Sequence, residues 1–170
     1  AVRRIEMMHG VLCSASGLPL LFSGQEWGVL NDYDYLDDPE KEEDSRWVHR
    51  PATDWENPHG KGSHQKIRSE LYSQLQRTID LRSKTDAFRG NQLRLLPVEN
   101  EHVLAYLRWH DASEVIVIAN FSEESQSIDV SFFRQQGFSH FCKDLFTDRS
   151  FSTAGHLDVE PYEVLWLVQD

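Results

Sequence analysis

The side chains most able to do chemistry cluster between Glu26 and Arg50. Arg50 offers a planar guanidinium that can grip a carboxylate in bidentate fashion and stays charged at any relevant pH. From the residues alone, a loop-fixing arginine is the simpler reading. The run Asp37-Asp38-Pro39-Glu40-Lys41-Glu42-Glu43-Asp44 gathers the clustered carboxylates that a hard cation takes. It lacks the alternating ligands and turn glycine of an EF-hand loop, so a solvated loop face is expected and no metal. Gly60-Lys61-Gly62-Ser63 is only superficially a phosphate loop, because the glycine four residues before the Gly-Lys pair is missing and no strand leads into it. Eight histidines occur without an HExxH pattern or Cys/His ligand spacing, which leaves zinc chemistry without support.

These residues need elements to hold them. Ile5, Met8, Leu12 and Ala15 recur at helical spacing within residues 3–16, and Gly17 then Pro19 supply the stop. The apolar run from Gly17 to Gly24 suits a strand buried on both faces, and the polar, aromatic stretch that follows is longer than a plain connection needs. From Ser63, a candidate N-cap, Ile67, Leu71, Leu75 and Ile79 recur every four residues, with Arg82 and Lys84 placed to complement a helix C-terminus. Asn57 to Gly62 reads as a surface turn. Helix, buried strand, long loop and helix is the grammar of an α/β barrel, with function on the loop after the strand.

Beyond Asp86 the period changes to two. Val103, Ala105, Leu107 and Trp109 share one strand face, Val115 to Ala119 is apolar on both faces, and Tyr162, Val164, Trp166 and Val168 share another. Strands are expected near 91–98, 102–109, 114–120, 126–130, 138–144, 150–159 and 162–168, as an antiparallel sandwich. The expected organisation is an α+β chain: the last helix-strand-helix portion of a (β/α)8 barrel over residues 1–85, then an all-β sandwich over 86–170.

With 170 residues, 39% of them hydrophobic, the chain can supply a core. A formal charge of −11 disfavours nucleic acid and anionic membrane surfaces as partners, while a neutral sugar is indifferent to that field. No apolar run approaches a membrane span of ~20 residues. Cys13 and Cys142 read as buried free thiols, which points to a cytoplasmic protein. The opening at Ala1 inside a helical pattern leads us to expect an upstream part.

Three blocks carry a family resemblance. "GLPLLFSGQE" at 17–26 resembles the eighth-strand signature of glycoside hydrolase family 13, the α-amylase superfamily. "LNDYDY" at 30–35 and "DSRWVHRP" at 44–51 are similar to amylosucrases and the related sucrose hydrolases, and "PYEVLWL" at 161–167 resembles the family's closing strand. The resemblance implies retaining cleavage of sucrose, with glucose passed to an α-glucan or to water, and no cofactor. It makes Arg50 a substrate-pocket residue, paired with an acid from another barrel loop to close the floor of a glucose pocket. Glu26 becomes structural, bonding loop amides, while Arg46, Trp47 and His49 shape the loop. Gln25 departs from the Asp that amylosucrases commonly show there, although a neutral amide can still cap the turn. Retention requires two carboxyl groups about 5 Å apart; in the family the nucleophile, the acid/base and a stabilising aspartate lie on the ends of the fourth, fifth and seventh strands. None of those lies in this sequence, so the missing N-terminal barrel portion is the implied partner and no catalytic residue is assigned here.

The rival expectation is a non-catalytic β-sandwich that binds carbohydrate or stabilises a neighbouring domain. Its signature would be exposed aromatics, with Tyr33, Tyr35, Trp55 and Trp109 as candidates.

Overall fold

The alternating segments Val103–His110 (β2) and Ser113–Asn120 (β3) form an antiparallel hairpin in which Leu107 opposes Ile116 and Tyr106 opposes Val117. The computed structural model describes residues 1–57 and 62–169, without the side chain of Ser63. Most of the expected turn at 57–62 and the Ser63 cap therefore lie outside the described residues. Gln92–Leu95 (β1) pairs with β2 and Val164–Gln169 (β8) with β3; Phe141–Asp144 (β5) and Ser150–Ser152 (β6) complete a six-stranded sheet of order β1-β2-β3-β8-β5-β6. Gln126–Asp129 (β4) and His156–Val159 (β7) pair separately as a two-stranded sheet.

Side chains from both sheets share one core. Leu107, Ile116, Ile118 and Leu165 of the larger sheet meet Ile128 and Val159 of the smaller one, as expected of an antiparallel sandwich. The buried Asn120 ties the two together, its amide donating to the carbonyls of Val159 and Glu160 at 3.0 and 3.1 Å. The single strand expected over 150–159 is two strands in different sheets. Between them lies Gly155, at a φ of +80° that favours glycine.

The opposite face of the larger sheet is covered as well. Helix α1 (Val2–Ser14) packs on β3 and β8. It buries Met7, His9, Gly10, Cys13 and Ser14, while Met8 is exposed. The stripe is thus displaced by one position from the expected Ile5-Met8-Leu12-Ala15, because small and polar residues supply the contact. A Cβ on Gly10 would stand 2.5 Å from Cγ1 of Val164, so only glycine lets helix and strand approach this closely. Cys13 and Cys142 are both buried and form no disulfide.

One expectation for the first half needs correction. Residues 18–22 form no strand, and Leu18 and Leu20 are 95% and 86% exposed. A parallel barrel strand needs hydrogen-bonding neighbours on both edges, and among the described residues none lies beside it. By its internal contacts the chain falls into two compact units. One compact unit comprises Ala1–Pro19 with Leu75–Asp170, the other Leu20–Gln74, because α1 is bound to the β region. Helix α2 (Gln65–Lys84) runs through the boundary, burying Leu71, Leu75 and Thr78 and leaving Ile67 and Ile79 half exposed.

Candidate functional site

The second unit is a loop held by short 3-10 turns at Gln25–Trp27, Asp34–Asp37 and Ser45–His49. Its first turn is closed by its own side chains. Gly24 takes a φ of +96°, its N–H donates to Oε2 of Glu26 at 2.8 Å, and the N–H of Phe22 donates to Oε1 of Gln25 at 3.2 Å. Glu26 therefore sits on backbone amides, as a carboxylate does when it organises a turn.

The 3-10 turn that precedes Arg50 is built around Asp44. Its Oδ1 accepts the N–H of Arg46 at 3.0 Å, and its two carboxylate oxygens receive Nε and Nη2 of the same arginine, each at 2.7 Å. The Arg46 side chain, followed by the backbone amide, lowers the Asp44 pKa to about 2. Two cations of this loop approach Trp47: Nζ of Lys41 stands 5.1 Å from its ring centroid and the Arg50 guanidinium 5.9 Å. Lys41 is itself paired with Asp38 at 2.7 Å.

The blocks at 30–35 and 44–51 are brought together here. The N–H of Asp32 donates to the Val48 carbonyl at 2.9 Å, and Oδ1 of Asn31 lies 3.1 Å from Nδ1 of His49. Arg50 follows as the cap of the turn, its N–H bonded to the Trp47 carbonyl at 3.0 Å and its side chain exposed. Arg46, Trp47, His49 and Arg50 thus share one short scaffold, whereas Glu26 organises a separate turn. Asn31 and Asp44 do much of the fixing and were not singled out from sequence. The signal for Asp44 was present, since Asp directly before Ser45 is a favoured turn cap.

Residues 93–166 match the family described as "Maltogenic Amylase, C-terminal domain". The β region is therefore similar to the C-terminal β domain of α-amylase-family enzymes. Trehalose synthase of Thermus thermophilus is 29% identical over a 165-residue alignment that takes in 79% of this chain and 16% of the relative. Among solved structures, AmyP in complex with maltose superposes with a TM-score of 0.74 at 14% identity, covering 98% of this chain and 34% of AmyP. The trehalulose synthase MutB of Pseudomonas mesoacidophila gives 0.68 at 19% identity, covering 97% of this chain and 38% of that one. The maltogenic amylase of S. marinus gives 0.61 at 19%, covering 99% and 19%. At such identities these likenesses speak to fold, and the chain spans only a minor part of each relative.

Within the unit that holds the β region, β2 caps the end of α1. Arg108 is fully buried and donates to three backbone carbonyls, those of Ser14, Gly90 and, at 2.8 Å, Gln92. The hydroxyls of Tyr106 and Ser14 lie 2.6 Å apart. Arg82 of α2 donates to the carbonyls of Cys13 and Gly17, the latter at 3.0 Å. The carbonyls that any helix leaves unpaired at its C-terminus, with their partial negative charge, thus meet two guanidinium groups. Arg82, expected to serve the end of its own helix, serves the end of α1 instead.

Proposed function

We propose that this chain is the C-terminal portion of an amylosucrase-like enzyme that cleaves sucrose with retention and passes glucose to an α-glucan or to water. The observation that carries the reading is the joining of the 30–35 and 44–51 blocks through Asp32, Val48, Asn31 and His49. The residues on which the amylosucrase likeness rests make one local structure with Arg50 at its end. Arg50 is exposed in this chain, available to a carboxylate from the barrel portion that would complete the enzyme. Pairing there would close a pocket around one glucosyl unit. The nucleophile and acid/base would come from the same upstream portion. The exposed apolar run 18–22 would be covered as a strand of that barrel. The test is to supply sucrose to the full-length protein and follow fructose, glucan and glucose; fructose release with glucan growth supports the reading.

The 29% identity to a trehalose synthase favours a second reading, in which the whole protein rearranges an α-glucoside rather than transferring glucose. Product analysis separates the two. An isomerised disaccharide from sucrose or maltose, without glucan growth or fructose release, would support the second.

A further inference from the structure

The loop over residues 37–51 carries the cations Lys41, Arg46 and Arg50, and its own acids hold only the first two. Asp38 pairs with Nζ of Lys41 at 2.7 Å. Asp44 grips Nε and Nη2 of Arg46, each at 2.7 Å. Among the described residues Arg50 has no ion-pair partner, although it follows this acidic run directly. The lowered Asp44 carboxyl owes most to the Arg46 side chain and least to the Arg50 charge. What the Arg50 guanidinium does approach is the half-buried ring of Trp47, at 5.9 Å from the centroid and so within cation–π reach. The backbone fixes the bases of the two side chains, since the Arg50 N–H donates to the Trp47 carbonyl at 3.0 Å.

From this arrangement we infer that Trp47 is the positioning residue for Arg50, holding its guanidinium in place and still unpaired for a carboxylate that arrives from outside the loop. The inference rests on the reading of Arg50 as the residue that closes the sugar pocket of a sucrose-active enzyme. The chemistry favours a ring over an acid for this task. An aromatic ring attracts the cation without taking its N–H donors, whereas a carboxylate of the loop would occupy the fork that the incoming acid needs. A side chain already held in place also loses less rotamer freedom when the pair forms. Lys41 approaches the same ring at 5.1 Å, and its pairing with Asp38 balances a charge that would otherwise repel the guanidinium. The acidic run thus has a use in this loop: it occupies the neighbouring cations and leaves Arg50 open.

The test uses the full-length protein as wild type, Trp47→Leu, Trp47→Phe, Arg50→Ala and the double variant Trp47→Leu with Arg50→Ala. On sucrose, kcat/KM should fall roughly tenfold in Trp47→Leu and less in Trp47→Phe, whose ring keeps part of the attraction. In the Arg50→Ala background Trp47→Leu should cost little more, because the group it positions is gone. The same full loss in that background would overturn the inference and leave Trp47 as a residue that only shapes its loop. Labelling of arginines by phenylglyoxal, mapped by mass spectrometry, adds a readout that needs no turnover. Arg50 should react roughly threefold faster in Trp47→Leu than in wild type, while Arg46, held by Asp44, keeps its rate. An unchanged rate at Arg50 would overturn the inference, and so would a rise at both arginines, which would report an unravelled loop. Faster labelling at Arg50 alone, with no sucrose turnover by wild type, removes the amylosucrase reading and not this one; turnover with an unchanged Arg50 rate removes this inference alone.

Discussion

Replacing Arg108 with methionine removes a buried guanidinium that has three carbonyl acceptors and stands 5.6 Å from the Phe88 ring centroid. Hydrogen bonds to a charged group contribute about 1.5–3 kcal/mol each, so the gross loss is on the order of 5–9 kcal/mol. Against this, burial lowers the Arg108 pKa, with Arg82 adding to the effect. The native charge therefore carries a desolvation cost of several kcal/mol that methionine avoids. The net destabilisation should be about 2–4 kcal/mol. Arg108→Lys should fail to recover most of it, because an ammonium on a shorter stem cannot span carbonyls from Ser14, Gly90 and Gln92 at once. Hydrogen exchange of the β2–β3 amides reads this directly. Opening becomes easier by roughly 30- to 700-fold in the methionine variant, and the amides at the end of α1 lose protection with it. Unchanged protection in Arg108→Met, or full protection in Arg108→Lys, would refute the claim that this arginine joins α1 to the sheet.

Burial pushes the Tyr106 phenol up to about 12. A phenol raised from its usual ~10 contributes stability that is complete below pH ~10 and lost as the pH climbs toward the folded value, about 3 kcal/mol in all. Denaturant melts between pH 9 and 12 should show wild type losing that stability relative to Tyr106→Phe; parallel curves would contradict the burial of a neutral phenol. Gly10→Ala should destabilise by about 1–2 kcal/mol despite alanine's better helix propensity, because its Cβ meets the stiff Val164 side chain. A melting point at or above wild type would show that α1 can shift away from β8. The depressed Asp44 carboxyl contributes stability above the usual carboxylate range, and that contribution is lost as the pH falls toward about 2. Asp44→Ala should therefore speed amide exchange at Arg46 to Arg50 at neutral pH and leave β2–β3 unaffected; unaltered exchange in the loop would show that Asp44 does not cap it.

The sheet was legible where burial on one face wrote an alternating pattern. Val103, Ala105 and Leu107 face the sandwich core as their spacing predicts, and the Val115–Ala119 run lies in a strand covered on both sides. Arg108 was illegible for the opposite reason, since a charged residue between Leu107 and Trp109 reads as solvent-facing until a helix is known to cover that face. The same blindness displaced the α1 stripe, because Gly10 and Ser14 make close contact without being apolar. The apolar run 18–22 reads as a buried strand, but among the described residues no strand pairs with it. At the candidate site, residue types and block spacing pointed to the loop. The bonds that give it shape, from Asp44 to Arg46 and from Asn31 to His49, depend on local turns that periodicity does not register.

The role proposed for Arg50 is to end a loop that closes a glucose pocket. It is tested most directly by kcat/KM on sucrose for the full-length protein, for Arg50→Ala and for Arg50→Lys, with melts confirming that each is folded. Arg50→Ala would leave a carboxylate unpaired beside the sugar, a loss of about 3–5 kcal/mol for a buried pair, and so a fall of roughly two to four powers of ten. Arg50→Lys should remain close to the alanine variant, because an ammonium lacks the planar fork. Near-normal kcat/KM in both variants would contradict the claim and leave Arg50 as a residue that only finishes its turn.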